Sequence, residues 1–311
     1  FFTIENIKIP ECEAKECYDL SKLDTSKITD MSDLFTYSLF NGDISNWNTS
    51  NVTDMTFMFQ EAEAFNQDIN NWNVSSVTNM NRMFAGAKEF NQALNNWDVS
   101  NVKNMSNMFA GAWNFNQDIG NWDVSNVKDM SGMFAEASNF NQDLNSWDVS
   151  NVIDMSLMFY NTRDFNQPLN NWYVSNVTNM AYIFDRAKSF NQALNGWDVS
   201  NVTDMSGMFN RASNFNQTLH NWNVSNVTDM SAMFGYAESF NQDLNDWDVS
   251  NVTSMSVMFY NAKEFNQPLN SWDVSSVTDM YGMFDKAIAF NIKFNSGKSS
   301  LPSDTNTLKQ W

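Results

Sequence analysis

The motif Met-x-x-Met-Phe recurs at Met55, Met80, Met105, Met130, Met155, Met180, Met205, Met230, Met255 and Met280, always 25 residues apart, with Ile183 replacing one second Met. A further copy, Met31 to Phe35, starts 24 residues before Met55 and carries Leu34 at that position. Trp keeps the same phase at 47, 72, 97, 122, 147, 172, 197, 222, 247 and 272, and Leu23 holds the Trp position of the first unit. A short period kept over eleven units means that each unit buries its apolar face against its neighbours, because no single unit can do so alone. A chain of 311 residues would otherwise suggest about two domains; one period running through nearly all of it predicts a single stacked array. The 20 Met all fall on the two ladder positions, and ten of the 12 Trp fall on one site. The excess of large apolar residues is therefore core, not a cofactor pocket.

Within a unit, Leu94, Trp97, Val99 and Val102 follow the 1, 4, 6 and 9 spacing of L-x-x-L-x-L-x-x-N. That register predicts a short strand at Trp97-Asp98-Val99, with Trp and Val inward and Asp98 outward. Val102, Met105, Met108, Phe109 and Ala112 then recur at three- and four-residue steps, predicting a short helix or a set of 3-10 turns over 103–112. Asp54, Asp129, Asp154 and Asp204 open that segment, where they suit the positive end of a helix dipole. The expected fold class is a repeat solenoid: a leucine-rich-repeat-like coil of eleven units of 24 or 25 residues, with short parallel strands on one face and short helices or 3-10 turns on the other. Its hand is expected to be right, as for nearly all parallel crossovers. Residues 1–22 are expected to cap the first coil, 23–294 to form the solenoid, and 295–311 to form a C-terminal cap or tail.

The unit W-D-V-S-N-V-T-D-M-S-x-M-F-x-x-A-x-x-F-N-Q-x-L-N-x resembles the BspA-like leucine-rich-repeat surface proteins, and more narrowly their 25-residue subfamily of mycoplasma-type lipoproteins and other bacterial surface proteins. The resemblance spans about residues 20 to 294. It implies a secreted or cell-surface protein that binds other proteins, often in adhesion to a host or neighbouring cell, and it supplies no catalytic residues. One position departs from the ordinary repeat: its ninth-position Asn is Val here, with Asn or Ser one residue earlier, which puts the usual buried asparagine ladder in doubt.

Composition narrows the chemistry further. With 17 Lys and Arg against 36 Asp and Glu, the formal charge is −19, and such a chain repels phosphate backbones, so nucleic acid is not an expected partner. One His and two Cys exclude most His-based catalysis and any Cys/His zinc cluster; no enzyme is expected. Cys12 and Cys17 could form a local disulfide, which would fit an extracellular protein, or remain two thiols. No signal-peptide pattern is visible, and no apolar run approaches the roughly 20 residues of a membrane-spanning helix.

Two surfaces remain as candidates for function. The position between Trp and Val is Asp98, Asp123 and Asp148 in three consecutive units, a row of like charges at coil spacing. Hydrogen bonds from adjacent Asn and Ser could relieve it, or a calcium ladder could; no other cofactor is expected. Elsewhere the units vary at and after the second x of Met-x-x-Met. Trp113, Tyr160, Arg163, Tyr182, Arg186, Arg211, Tyr236 and Tyr260 stand there, with Tyr173 in the Asp row. Aromatic and Arg residues dominate binding hot spots, so these nine are candidate protein contacts, with Tyr160, Tyr173 and Tyr182 in neighbouring units. Neutral variation of a solvated face is the alternative for them. Self-association into a coat, fibre or surface layer is the alternative to binding another protein.

Overall fold

A computed structural model of the chain describes residues 19–294. Cys12, Cys17, most of the expected N-terminal cap and the expected 295–311 tail lie outside them. Ten parallel bridges join Asp30, Asp54, Asn79, Asn104, Asp129, Asp154, Asn179, Asp204, Asp229, Ser254 and Asp279 in chain order, so each repeat pairs with the next. The stacked repeats form one parallel solenoid around one continuous core.

The coil around Met105 shows how the sequence builds it. The N–H groups of Met105, Asn107, Phe109 and Gly111 donate to the carbonyls of Asp129, Ser131, Met133 and Ala135 in the following coil, at 3.0, 2.7, 2.9 and 2.7 Å. Between them, Met108, Ala110 and Ala112 donate to the carbonyls of Met105, Asn107 and Phe109 within the coil. Half the peptide units thus tie coil to coil, and half close i→i+3 turns. Such turns are possible because Asn107 and Gly111 take positive φ, 54° and 69°, the geometry that the third residue of a type II turn requires.

This decides between the two alternatives expected for 103–112 and overturns the expected strand. The segment 103–112 is a chain of turns and not a helix, because a left-handed residue at every fourth position interrupts the run of right-handed residues that a helix needs. The main-chain ladder also runs here, and not at Trp97-Asp98-Val99, which carries no bridge. The backbone N–H of Trp97 instead closes a turn onto Leu94 O at 3.1 Å. Among the described residues the only helical elements are a 3-10 turn, Leu20–Lys22, and α1, Ile288–Phe294, which replaces the extended return segment of the last repeat.

The inward residues are those the periodicity marked. Leu94, Val99, Val102, Met105, Met108, Phe109, Ala112 and Phe115 are buried, and the same positions are buried in the neighbouring coils. Phe109 stacks on Phe115 in its own coil at 3.9 Å between ring centres and on Phe134 in the next at 5.9 Å. Trp97 and Trp122 stack at 6.3 Å, 3° from parallel. Offset stacks of this kind contribute about 0.5–1.5 kcal/mol each beyond burial.

Polar side chains replace backbone pairing on the rest of the coil. The buried indole Nε1 of Trp122 donates to Leu94 O in the preceding coil at 3.0 Å. An asparagine ladder exists, displaced from the ninth position. Asn91 Oδ1 accepts from Asn116 N at 3.0 Å and from Gln117 Nε2 at 2.9 Å, and Asn116 repeats the arrangement one coil on. A second, exposed ladder uses the residue before Val102: Asn101 Nδ2 donates to Ser75 O at 2.8 Å.

Candidate protein-binding face

The turn ladder presents two left-handed residues per coil to solvent, the second x of Met-x-x-Met and the residue four further on. Among the described residues seventeen non-glycine residues have positive φ and all fall on these two positions, whereas glycine holds only five of them. The occupants differ from coil to coil: Phe57 and Glu61, Leu157 and Asn161, Tyr182 and Arg186, Val257 and Asn261. A left-handed residue with a Cβ costs about 1–2 kcal/mol relative to its right-handed form. The face therefore carries backbone strain that glycine throughout would avoid, and each strained position displays a side chain.

Four cations rest on aromatic rings of adjacent coils along this face. Arg186 lies over Tyr160 at 5.6 Å, Arg211 over Tyr236 at 4.7 Å, Lys286 over Tyr260 at 4.9 Å and Lys88 over Trp113 at 4.9 Å. Tyr236 and Tyr260 meet at 5.1 Å between ring centres, tilted by 53°. The hydrogen bond between Tyr260 and Lys286 lowers the tyrosine hydroxyl from its ordinary value and raises the ammonium. The Tyr182 ring leans over Gly207 and fills the space that a Cβ there would need. Beside Arg211, a shallow hollow of about 210 Å³ is lined by Asn210, Ala232, Gly235, Tyr236, Val257 and Tyr260. A wider one, about 410 Å³, includes Glu61, Arg82, Lys88, Trp113 and Glu136.

Eight of the nine candidate contacts lie on this turn face: Trp113, Tyr160, Arg163, Tyr182, Arg186, Arg211, Tyr236 and Tyr260. Arg163 donates from Nε to Asn161 Oδ1 at 3.1 Å. Tyr173 does not join them. It is 76% exposed and sits between buried Trp172 and Val174, in the position of the Asp row, so no patch of Tyr160, Tyr173 and Tyr182 forms. Lys88, Asp185 and Lys286 were missed by sequence reasoning. The signal for the two lysines was spacing, since a residue 25 or 26 positions from an aromatic of this face lies beside it one coil away.

Asp185 is the unusual member. It is 4% exposed, its carboxylate lies 4.0 Å from Arg186 Nε, and Asn210 Nδ2 donates to it at 3.1 Å. Burial pushes its carboxyl up to about 6, against the pull of Arg186, Arg211 and the Asn210 hydrogen bond.

Asp98, Asp123 and Asp148 each accept the backbone N–H of the serine two residues on, at 3.1, 3.0 and 3.0 Å. For Asp123 the hydrogen bonds from Ser125 hold the carboxyl below its ordinary value. Asp129, Asp154 and Asp204, expected at helix starts, make the same turn to Ser131, Ser156 and Ser206. The aspartates thus shape corners of the coil, a habit of Asp before turns. Among the described residues no group of three or more His, Cys, Asp or Glu is placed to hold a metal ion, and no helix is long and apolar enough to cross a membrane.

Three overlapping stretches, 8–112, 91–197 and 178–296, match the model of a family described as "Mycoplasma protein of unknown function, DUF285". No curated protein matches the chain. Among solved structures, a leucine-rich repeat protein from Bacteroides ovatus is 10% identical, over 89% of this chain and 80% of that one, with a TM-score of 0.32. A leucine-rich-repeat protein of Leptospira interrogans is 8% identical, over 81% and 82%, with a TM-score of 0.20. Likenesses this loose leave the fold resting on the chain's own ladder and stacks.

Proposed function

The chain belongs to the DUF285 family, and from that premise we propose that it is a non-enzymatic protein-binding solenoid, carried at a cell surface or secreted, that uses its turn face in adhesion or recognition. The finer family reading, a BspA-like protein of eleven right-handed coils, goes with this proposal. One observation carries it. Seventeen left-handed positions bear side chains where glycine would relieve strain, and strain held at many sites on one face, with chemistry that changes between coils, is the pattern of a surface kept for its side chains. A long rigid array of aromatic and Arg groups binds by several modest contacts at once.

The test uses the strain itself. Replacing Tyr182, Arg186, Arg211 and Tyr236 together by Gly relieves the backbone and strips the face, and a wild-type circular dichroism spectrum checks that the variant is folded. Purified protein is crosslinked on candidate bacterial and host cells, and the captured proteins are identified. The expected result is a partner recovered by the wild type and lost by the four-glycine variant. Equal capture by both would remove this face from the function.

A second reading, a self-assembling coat or fibre, is favoured by the uniform side of the coil, where Asn101, Asn126, Asn151 and Asn176 repeat one contact at every step. Light scattering separates the two: a monomer at micromolar concentration argues against assembly.

A further inference from the structure

Three of the chain's four arginines, Arg163, Arg186 and Arg211, fall in consecutive repeats on the turn face, with Lys188 beside them. This is a local excess of positive charge on a chain of net charge −19. The nearby carboxylates only partly offset it. Asp185 is nearly buried and spent on Arg186 and Asn210, and Asp164 is exposed beside Arg163. Arg211 is exposed and makes no ion pair with a described carboxylate. The Nε of Arg186 is buried and finds no hydrogen-bond acceptor among the described residues.

The two central guanidinium groups are also held in place. Arg186 reaches back over Tyr160, and Arg211 reaches forward over Tyr236. The two arginines belong to adjacent coils, one beside Tyr160 and the other beside Tyr236, so the two charges line up along the solenoid axis. Alternate residues of an extended chain point to the same side, so one such chain lying along the axis can offer a carboxylate to each arginine. The hollow beside Arg211, walled by Ala232, Val257 and two tyrosines, would take an apolar side chain next to the second carboxylate.

We propose that Arg186 and Arg211 form a docking site for an extended acidic segment of a partner protein, lying along the solenoid axis with carboxylates at alternate positions and an apolar residue beside the second. Guanidinium groups stacked on aromatic rings are pre-organised for carboxylates, because less freedom is lost on binding. The excess negative charge of the rest of the molecule keeps long polyanions away, so a short acidic stretch fits better than nucleic acid. The inference rests on the protein-binding reading of the same face and names the chemistry of its partner.

The experiment measures fluorescence anisotropy of two labelled ten-residue peptides with the full chain, at about 50 mM and about 300 mM salt. One peptide has Glu at two alternate positions with Leu after the second; the other has Gln at both places. The Glu peptide is expected to bind at least ten-fold more tightly at low salt and to lose most of that advantage at high salt. The double variant Arg186→Gln/Arg211→Gln should abolish the difference while keeping the wild-type circular dichroism spectrum, and Lys103→Gln/Lys128→Gln, both exposed, should preserve it. Equal binding of the two peptides, no binding of either, or equal losses in both double variants would overturn the proposal. Partner capture that survives Arg186→Gln/Arg211→Gln but not the four-glycine variant would sink the acidic-segment inference alone and leave the binding face standing.

Discussion

Asp185 keeps an ionisable carboxyl where water reaches it poorly, and its ordinary value near 3.8 rises to about 6. The folded state therefore holds this proton more tightly than the unfolded chain does, so the group's contribution to stability falls as pH rises from about 4 to about 6 and stays low above that. Asp185→Asn should flatten this limb and raise stability near neutral pH by about 3 kcal/mol; urea unfolding of both proteins at pH 4.5, 5.5 and 7 reads it as a difference that closes on acidification. A gap that stays constant with pH would show that burial of the carboxyl is not the cause. The strained positions give a second check. Val257 has φ of 50°, poorly suited to a branched side chain, so Val257→Gly should gain about 0.5–1 kcal/mol after the greater freedom of glycine in the unfolded chain is subtracted. Gly282→Ala, at φ 59° with Val257 Cγ1 3.3 Å from the new Cβ, should lose a comparable amount. Neither effect was legible beforehand. The sequence marks Val257 and Gly282 as variable, but only the backbone shows that one is strained and the other at ease.

At the scale of the element, the repeat is a closed circuit of turns joined by side-chain ladders. Asn116 Oδ1 accepts two hydrogen bonds from the following coil, from Asn141 N and Gln142 Nε2. Asn116→Ala leaves the part-buried Asn141 N–H without its acceptor and Gln142 Nε2 with Asn116 O alone, at a cost of about 1–3 kcal/mol, measurable as a lower urea midpoint. Asn116→Asp keeps the acceptor and should cost less. The core positions were readable from periodicity because burial follows from inward spacing whatever the backbone does. The elements were misread for a related reason. Consecutive i→i+3 turns place Met105, Met108 and Phe109 on one side at nearly the spacing a helix would, and alternation at Trp97 and Val99 looks like a strand. What separates the alternatives is φ at Asn107 and Gly111, and a varied column that includes Leu157 and Val257 does not announce a left-handed backbone. The eight clustered candidate residues were legible as exceptions to the repeat. Asp185 was not, since its burial depends on neighbours one coil away on either side.

For the molecule as a whole, stability is spread along the array, because each coil packs on its neighbours and on little else. Removing one whole period, for example residues 123–147, joins Trp122 to Asp148 in phase and should leave a folded protein with a proportionally smaller denaturant slope; collapse of the fold would show that the coils are not interchangeable. The ladder bonds described above lie along the long axis, and this has a mechanical meaning. A load applied between the two ends pulls on each set of coil-to-coil hydrogen bonds in turn, with no set sharing its burden with the next. Such a rod is stiff until one junction opens, and then it pays out a single turn of chain. Drawn out in an optical trap, it should lengthen in repeated steps of about 80 Å, the span of one extended 25-residue unit less its stacked height. A protein that tethers one surface to another through such a rod would give way by lengthening in stages while most of its face stays folded and attached.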